Sequence, residues 1–161
     1  MRSQGDRKKF SACFTEGQDR TQLCFDQLFL REDRGHDIQS LVQQTADAWI
    51  AADLDAIAAP FAAEGWFISP GGTWQGPSAI RNAAADFFGR EQGVRIRIDR
   101  LIWDADNGQG AVEWVWSAID SEGRRYVDED SVIFTINQAG EITYWREYFN
   151  LTSREYSDDL E

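Results

Sequence analysis

Three carboxylates near the C-terminal end of the chain have the spacing of residues on one face of a strand pair. Asp128 and Asp130 alternate in YVDEDSVIFTI, and Glu147 lies in the next strand-like stretch, ITYWREYFN. Side chains at alternate positions of a strand point to the same side of the sheet. The turn sequence NQAGE, residues 137–141, predicts a hairpin that brings Asp130 to within one residue pair of Glu147.

This arrangement would suit proton transfer if the shared face is buried. Burial and like charge both raise the pKa of a carboxyl group, and a carboxyl closer to neutrality can act as a general acid or base. Glu147, Asp130 and Asp128 are therefore the candidate catalytic residues. The same acids could instead line a wet pocket mouth, face solvent in a register shifted by one residue, or pair with arginines. The candidate arginines are Arg124, Arg125 and Arg146.

The seven tryptophans allow two interpretations. Aromatic residues on strands usually fill the core. Trp114 and Trp116, however, share one strand face, and buried indole N–H groups need acceptors such as these acids. An aromatic box with an acidic floor would suit a flat or cyclic apolar ligand that carries a hydroxyl, a carbonyl or an amine, and would also attract a cation.

The elements that must position these residues begin with helices. Apolar residues recur at helical spacing from Ile38 to Ala52, after a possible N-cap at Asp37. Asp53 can cap a second helix over Leu54–Ala63, bent at Pro60. Gly76-Pro77 opens a third helix with proline in its first turn.

A series of strands dominates the rest of the chain. Residues 66–69 form a short strand that ends at a Pro-Gly-Gly turn, which lacks the features of a phosphate loop. Period-two patterns then predict four more strands, over residues 94–103, 111–119, 126–136 and 142–150, with a bulge near Arg100. The order α-α-β-α-β-β-β-β predicts an α+β fold in which helices cover one face of a curved antiparallel sheet.

Composition and charge narrow the partners. At 161 residues with 42% hydrophobic residues, the chain has the size of one domain with a substantial core. Residues 1–36 carry seven Lys and Arg against six Asp and Glu, and residues 37–161 carry nine against 22. So acidic a domain disfavours nucleic acid and anionic membranes as partners. With no secretory signal and no apolar run of membrane-spanning length, we expect a cytoplasmic protein.

Residues 1–36 are predicted to be an N-terminal extension, with a possible short helix over Thr21–Leu30, that lies on the domain or in a subunit contact. Residues 37–161 are the predicted domain. Cys13 and Cys24 are expected to be reduced thiols. His36 is the only histidine, and no Cys/His cluster is present, so we expect no metal site.

Three stretches together resemble the SnoaL-like, ketosteroid-isomerase-like family of the nuclear-transport-factor-2-like fold. They are AWIAADLDAIAAPFAAEGWFISPGG, WQGPSAIRNAAADFF and YVDEDSVIFTINQAGEITYWREYFN. The resemblance implies a conical α+β barrel, cystatin-like in topology, in which the curved sheet wraps around three helices and encloses a hydrophobic cavity. It also implies a homodimer through the outer face of the sheet.

The resemblance permits a comparison of catalytic positions. Where ketosteroid isomerases have an aspartate base, an oxyanion-binding tyrosine and a protonated aspartate, this chain has Ser69, Thr45 and Val132. Where epoxide-hydrolase-like members have an arginine and an aspartate on one strand, it has Trp114 and Trp116. Their other aspartate resembles Glu147. The histidine pair of scytalone-dehydratase-like members has no counterpart.

We therefore expect a small-molecule pocket protein without a cofactor. It would be an isomerase, cyclase, hydratase or epoxide-hydrolase-like enzyme that acts on a small lipophilic substrate through a pocket carboxylate. The alternatives are a non-catalytic binder of an apolar or aromatic ligand, and an interaction module whose dimer is the functional unit. The candidate substrate-binding residues are Trp49, Ser69, Trp74, Trp114, Trp116, Phe134 and Trp145.

Overall fold

The computed structural model describes residues 38–149 and the backbone of residues 155–156. The predicted N-terminal extension, its helix over Thr21–Leu30 and the cap at Asp37 lie outside these residues. No helix among the described residues is long and apolar enough to cross a membrane.

Three helices come from the patterns expected of them. Helix α1, residues 38–50, buries a stripe that includes Ile38, Val42 and Trp49. Helix α2, Leu54–Ala58, begins where the Asp53 carboxylate accepts a hydrogen bond from the Ala56 amide. Helix α3, Gly76–Phe88, has its proline in the first turn and buries Ile80 and Ala84.

The predicted second helix, Leu54–Ala63, was too long. Proline lacks an amide proton and disfavours helical geometry in the residue before it, so Pro60 ends the helix rather than bending it. Strand β1 starts at the next residue, Phe61, and the Pro60 carbonyl accepts a hydrogen bond from the Ile142 amide in the sheet.

The described residues form one seven-stranded sheet in the order β2-β1-β6-β5-β4-β3, with β7 paired to β5. The α+β class predicted from the sequence is confirmed. The strands are β1 Phe61–Ser69, β2 Gly72–Gln75, β3 Gln92–Asp104, β4 Gln109–Ile119, β5 Arg125–Ile136, β6 Ile142–Tyr148 and β7 Glu155–Tyr156.

The sheet differs from the prediction in one pairing and in two additional strands. Strand β1 runs parallel to β6, so the sheet is mixed rather than wholly antiparallel. Strand β2 returns antiparallel along β1 after the Pro-Gly-Gly turn, and β7 is a short addition beside β5. Alternation reveals a strand but not its neighbours, and β1 and β6 are far apart in sequence.

Two of the four register shifts among the described strands concern β3 and the β5–β6 hairpin. One falls between Ile98 and Arg100, as the broken alternation predicted. The other lies between Thr135 and Ile136 and leaves Thr143 out of the pairing. The Thr143 hydroxyl meets that of Thr135 at 2.7 Å, while Trp145 stays buried on the inner face.

A row of aromatic rings crosses the sheet at one level. Phe67 pairs with Trp145, Trp145 with Phe134, Phe134 with Gly110, and Gly110 with Trp103. Gly110 leaves the space in which the rings of Phe134 and Trp103 stack, 6.0 Å apart and 8° from parallel. A Cβ at Gly110 would lie 2.5 Å from Phe134 Cζ and 2.8 Å from the Ile102 carbonyl oxygen.

We predict that Gly110→Ala destabilises the fold by about 1–3 kcal/mol, because overpacking displaces a buried ring or backbone. Urea denaturation measures the change. The control is Gly71→Ala, where the nearest atom to the new Cβ is Ser69 Oγ at 3.4 Å. Equal stability of the two variants would contradict this account of Gly110.

Candidate functional site

The three acids lie on the inner face of the β5–β6 hairpin. Glu147 is paired with Val132, and Asp130 is the next residue along β5 on the same face. Asp130 and Glu147 are thus neighbours on this face, but Asp130 lies two residues along β5 from the partner of Glu147, one residue more than predicted. Val132 and Phe134 on this face have no exposed surface, so the acids belong to a buried side of the sheet.

Asp130 is buried and accepts hydrogen bonds through both of its carboxylate oxygens. Its carboxylate is only 6% exposed. One oxygen accepts a hydrogen bond from the Trp114 indole N–H at 2.9 Å, and the other accepts one from the Tyr148 amide at 3.1 Å. Burial raises the pKa of Asp130 to about 6; the two hydrogen bonds oppose this effect, and the charge of Asp128 adds to it.

The charged form of Glu147 is stabilised by fewer hydrogen bonds than that of Asp130. It is half-buried, and its one hydrogen bond, from the Trp145 indole N–H, is long at 3.4 Å. Burial first, and the neighbouring charge of Asp130 second, raise the pKa of Glu147 well above its usual value. Hydrogen bonds favour the ionised form of both carboxyls, but Asp130 receives two and Glu147 only one long one, so burial and the charge of Asp130 favour the protonated form of Glu147.

Asp128 completes this group, which we call the acidic strip: Asp128, Asp130 and Glu147. It is 6% exposed and pairs with Trp116 across β4 and β5. The alternative that Asp128 and Asp130 are solvated surface charges is therefore wrong. No three metal-ligating side chains among the described residues are placed to hold a metal ion.

The nearby arginines have other contacts. Arg124 pairs with Asp120 and Glu122 in the turn between β4 and β5. Arg125 donates to the Ser117 hydroxyl at 2.8 Å, and Arg146 lies over the Tyr148 ring. Within the described part of the chain, neither Asp130 nor Glu147 forms an ion pair, so no cation offsets their charge.

Two aromatic clusters border the acidic strip. The sheet cluster contains Trp103, Trp114, Phe134 and Trp145 in successive ring contacts of 5.5–6.0 Å. The helix cluster joins α1, α3 and the sheet and contains Trp49, Phe61, Phe67, Trp74, Phe87, Phe88 and Trp116. Asp130 lies opposite Trp114 of the first cluster and Asp128 opposite Trp116 of the second.

The candidate ligand-contacting residues differ in accessibility. Trp114, Phe134 and Trp145 are at most 1% exposed, and Trp49 is 7% exposed. Trp116, Trp74 and Ser69 are half-buried. Ser69 also accepts a hydrogen bond from the Gly71 amide in the β1–β2 turn. A ligand would therefore meet the half-buried side chains first, with the buried indoles behind them.

Three cavities bounded by described residues lie elsewhere. One of 670 Å³ lies between α1, α2 and the β5–β6 turn. Two more, of 490 and 920 Å³, flank the first turns of α1. None of the three is lined by the acidic strip, so an internal pocket at these acids stays a prediction.

Comparison with protein-family models identifies a family for this chain. The model of the SnoaL-like domain family matches residues 42–145. The chain belongs to this family. The match contains most of the sheet, two of the three acids (Asp128 and Asp130, but not Glu147), and both aromatic clusters of the SnoaL-like domain. No curated protein sequence matches the chain.

Solved structures of low sequence identity share the fold. A ketosteroid-isomerase-like protein of Catenulispora acidiphila in complex with trimethylamine is 20% identical, with a TM-score of 0.65, covering 70% of this chain and 87% of that one. An LEH-like epoxide hydrolase of Mycobacterium tuberculosis is 20% identical, with a TM-score of 0.62 and coverages of 73% and 85%. The Δ5-3-ketosteroid isomerase of a Mycobacterium species is 16% identical, with a TM-score of 0.60 and coverages of 75% and 98%.

The positions compared with ketosteroid isomerases are apolar or locally bonded in this SnoaL-like domain. Val132 is fully buried, and the Thr45 hydroxyl donates to the Leu41 carbonyl in its own helix at 2.9 Å. Together with Ser69 in its turn, these residues offer no acid or base.

Sequence reasoning missed two contributors to the site. The Tyr148 amide bonds Asp130, but a backbone donor leaves no residue-type signal. Phe87 and Phe88 contact both Trp49 and each other, and Phe87 also contacts Trp116. Both rings are half-buried on α3, and helical spacing alone does not indicate which strand residues a helix meets.

We predict that Asp130→Asn changes the pH dependence of stability. The folded-state pKa of Asp130 is raised from 3.8 to about 6. Ionisation of Asp130 therefore leaves the free energy of unfolding of the wild type unchanged below pH 4 and lowers it by up to about 3 kcal/mol as pH rises through 6. Asparagine resembles the protonated acid and avoids this loss. Denaturation from pH 3 to pH 8 should give a difference that is near zero at pH 3 and favours the variant at pH 8.

The control is Asp99→Asn on the solvent side. The Arg97 guanidinium lowers the pKa of Asp99, so the Asp99 charge stabilises the folded state. Asp99→Asn should therefore be less stable than wild type at pH 8, the opposite of Asp130→Asn. Parallel pH curves for wild type and Asp130→Asn would contradict the buried, uncompensated charge.

Proposed function

We propose that this protein is a cofactor-free enzyme that acts on a small lipophilic substrate by general acid–base catalysis, with isomerisation, cyclisation, hydration or epoxide opening as the reaction class. The observation that carries the proposal is the unequal environment of two neighbouring carboxyls, one buried and one half-buried. Asp130 receives two hydrogen bonds, of 2.9 and 3.1 Å, whereas Glu147 receives one of 3.4 Å.

The inequality suggests separate roles. Glu147, whose charge is poorly supported, would carry the proton and donate it to a substrate oxygen. Asp130 would remain ionised above pH 6 and would keep the proton on Glu147 through its charge. Asp128 would add negative charge and hold the Asp130 pKa up. Glu147 is also the more accessible member of the pair, as proton transfer to a ligand requires.

The substrate would lie between the acidic strip and the half-buried rings of the helix cluster. Trp116 and Trp74 offer flat apolar surfaces, and Ser69 offers a hydroxyl near the β1–β2 turn. The buried Trp49, Trp114, Phe134 and Trp145 would fix the positions of these groups rather than contact the ligand broadly. This lining suits a cyclic or aromatic molecule with one oxygen function.

Glu147→Gln tests the proposal directly. We expect a loss of about 100-fold or more in kcat, because general acid catalysis contributes at least that much and glutamine cannot donate a labile proton. The assay would use a panel of small epoxides, unsaturated ketones and hydroxy ketones, together with any ligand found by native mass spectrometry of the purified protein. In wild type, kcat/KM should rise with pH through about 6 as Asp130 ionises.

The matched control is Glu129→Gln, on the same hairpin but exposed on the outer face, which should leave turnover unchanged. Ligand binding by Glu147→Gln, measured by thermal shift, should persist. Full turnover by Glu147→Gln would exclude the acid role.

A second candidate function is non-catalytic binding of a small apolar or cationic molecule. Asp130 and Glu147 of the acidic strip have no arginine partner in the described part of the chain, and they lie next to indole faces that attract cations. The structural neighbour from Catenulispora acidiphila was solved with trimethylamine. Saturable binding of trimethylammonium at pH 8 that is lost in Glu147→Gln, without turnover of any panel member, would favour this function.

We also propose a homodimer through the outer face of the sheet. That face exposes Ile102 and Ile133, beside oppositely charged side chains such as Arg100 and Glu113, which pair at 3.6 Å. A face of this mixed kind can pair with its own copy around a twofold axis. The cytoplasmic location expected from the sequence stays a prediction.

If the dimer forms in this way, Ile133→Glu should produce monomers, because it places two like charges in an apolar contact. Sedimentation velocity measures the change. Ile50→Glu, at a similarly exposed isoleucine on α1, should leave the dimer intact. Dimers of unchanged affinity in Ile133→Glu would place the contact elsewhere.

A further inference from the structure

Two consecutive residues of β5 hold the junction between α3 and β3, residues 89–93. The Tyr126 hydroxyl donates a hydrogen bond to the Glu91 carboxylate. The Arg125 guanidinium donates one to the Gly93 carbonyl oxygen at 3.1 Å. Neighbouring side chains of a strand point to opposite faces of the sheet. The junction is therefore held from both faces, and we call Arg125 and Tyr126 the β5 clamp.

Both members of the β5 clamp are fixed by the sheet. Tyr126 is 1% exposed and packs in the core. Arg125 also donates to the hydroxyl oxygen of Ser117 at 2.8 Å, and Ser117 is itself buried. Gly93 has a φ of 63°, and a Cβ there would lie 3.2 Å from Arg125 Nη2. A glycine at this position therefore lets the junction approach the clamp closely.

The junction continues directly from the last turn of α3, which ends with Phe87 and Phe88. The Phe87 carbonyl oxygen accepts hydrogen bonds from the amides of Arg90 and Glu91, both at 2.9 Å. The Phe87 ring lies 5.6 Å from the Trp116 ring, measured between centroids. A contact that fixes Glu91 therefore also fixes the end of α3 and the ring that meets Trp116.

The same strand provides the clamp and two residues of the acidic strip. Tyr126 lies two residues before Asp128 on one face of β5. Asp128 pairs with Trp116 across β4 and β5, and the Trp116 ring contacts Phe87. We infer that the β5 clamp sets the separation between the end of α3 and the acidic strip, and thereby selects one-ring over fused-ring ligands. This inference rests on the proposed function, which places the ligand against the strip.

Tyr126 would act as a positioning residue, through Glu91 and the last turn of α3. The ends of helices open locally at a lower free energy than the core of a sheet, unless other contacts hold them. Without the Tyr126 hydroxyl, the ring of Phe87 would be freer to move away from Trp116. The space beside Trp116 would then admit a wider molecule.

Hydrogen exchange tests the clamp without a ligand. Tyr126→Phe removes the hydroxyl and keeps the ring in the core. We expect the amides of Arg90 and Glu91 to exchange about tenfold faster or more in this variant. The Ile142 amide, on a fully buried residue of β6, is the internal reference for global stability. Unchanged exchange at Arg90 and Glu91, or a larger change at Ile142 than at these amides, would overturn the clamp.

Variants of Glu91 separate the hydrogen bond from simple packing. Glu91→Gln keeps an oxygen that can accept from the Tyr126 hydroxyl, so exchange at the end of α3 should match the wild type. Glu91→Leu removes the acceptor and should act like Tyr126→Phe. Combining Glu91→Leu with Tyr126→Phe should add nothing, because both break the same bond. Equal effects of Glu91→Gln and Glu91→Leu would show that the bond is not responsible.

Cyclohexanone and decalone, a one-ring and a fused two-ring ketone, test the selection by size. Each is titrated against the tryptophan fluorescence of the full-length protein. We expect Tyr126→Phe to lower the ratio of the decalone to the cyclohexanone dissociation constant about fivefold or more, because the site is wider. Tyr144→Phe, which removes a hydroxyl from the outer face of β6, is the matched control and should leave the ratio unchanged. An unchanged ratio in Tyr126→Phe would overturn the size selection.

The two measurements distinguish this inference from the proposed function. If neither ketone binds to the wild type, the proposed ligand site is contradicted and the size selection falls with it, while the exchange rates still decide the clamp. If Glu147→Gln loses turnover but Tyr126→Phe keeps the wild-type ratio, the proposed function stands and the size selection is overturned.

Discussion

The hydrogen bond from the Trp114 indole to Asp130 joins the two properties on which this site depends. It is donated by a fully buried aromatic side chain and accepted by a carboxylate that has no ion-pair partner among the described residues. A buried charge of this kind persists only where donors are fixed in place. Phe134, which stacks over Gly110, contacts Trp145, and Trp145 contacts Trp114. The packing of these rings therefore holds the indole that donates to Asp130 in place.

The same constraint explains the difference between the two central acids. Asp130 lies where an indole and a main-chain amide converge, because Tyr148 pairs with Ser131 at the end of β6. Glu147 extends from the adjacent strand toward a less enclosed region and meets a single distant indole. If both acids had the same surroundings, a shared proton would bind either one equally well. The pairing register makes their surroundings unequal, so the proton binds Glu147 more readily than Asp130.

The SnoaL-like family accommodates different reactions on one fold, and this chain illustrates how the positions can change. At the positions compared with isomerases and epoxide hydrolases, polar groups are replaced by Val132, Trp114 and Trp116. These residues strengthen the interior, and the acids that remain are concentrated on the β5–β6 hairpin. Among the described residues, the two acids of lowest exposure, Asp128 and Asp130, both lie on that hairpin.

Much of this protein follows from its sequence. Alternation on β3 to β6 and the turn at 137–141 placed the three acids on one face, because side-chain direction in a strand repeats every two residues. The caps and glycines placed the helices, apart from the false extension past Pro60. Only the tertiary structure decided the parallel pairing of β1 with β6, the ring stack over Gly110 and the main-chain donor to Asp130. Each of these joins residues that are distant in the chain, and local residue patterns contain no information about which distant strands become neighbours.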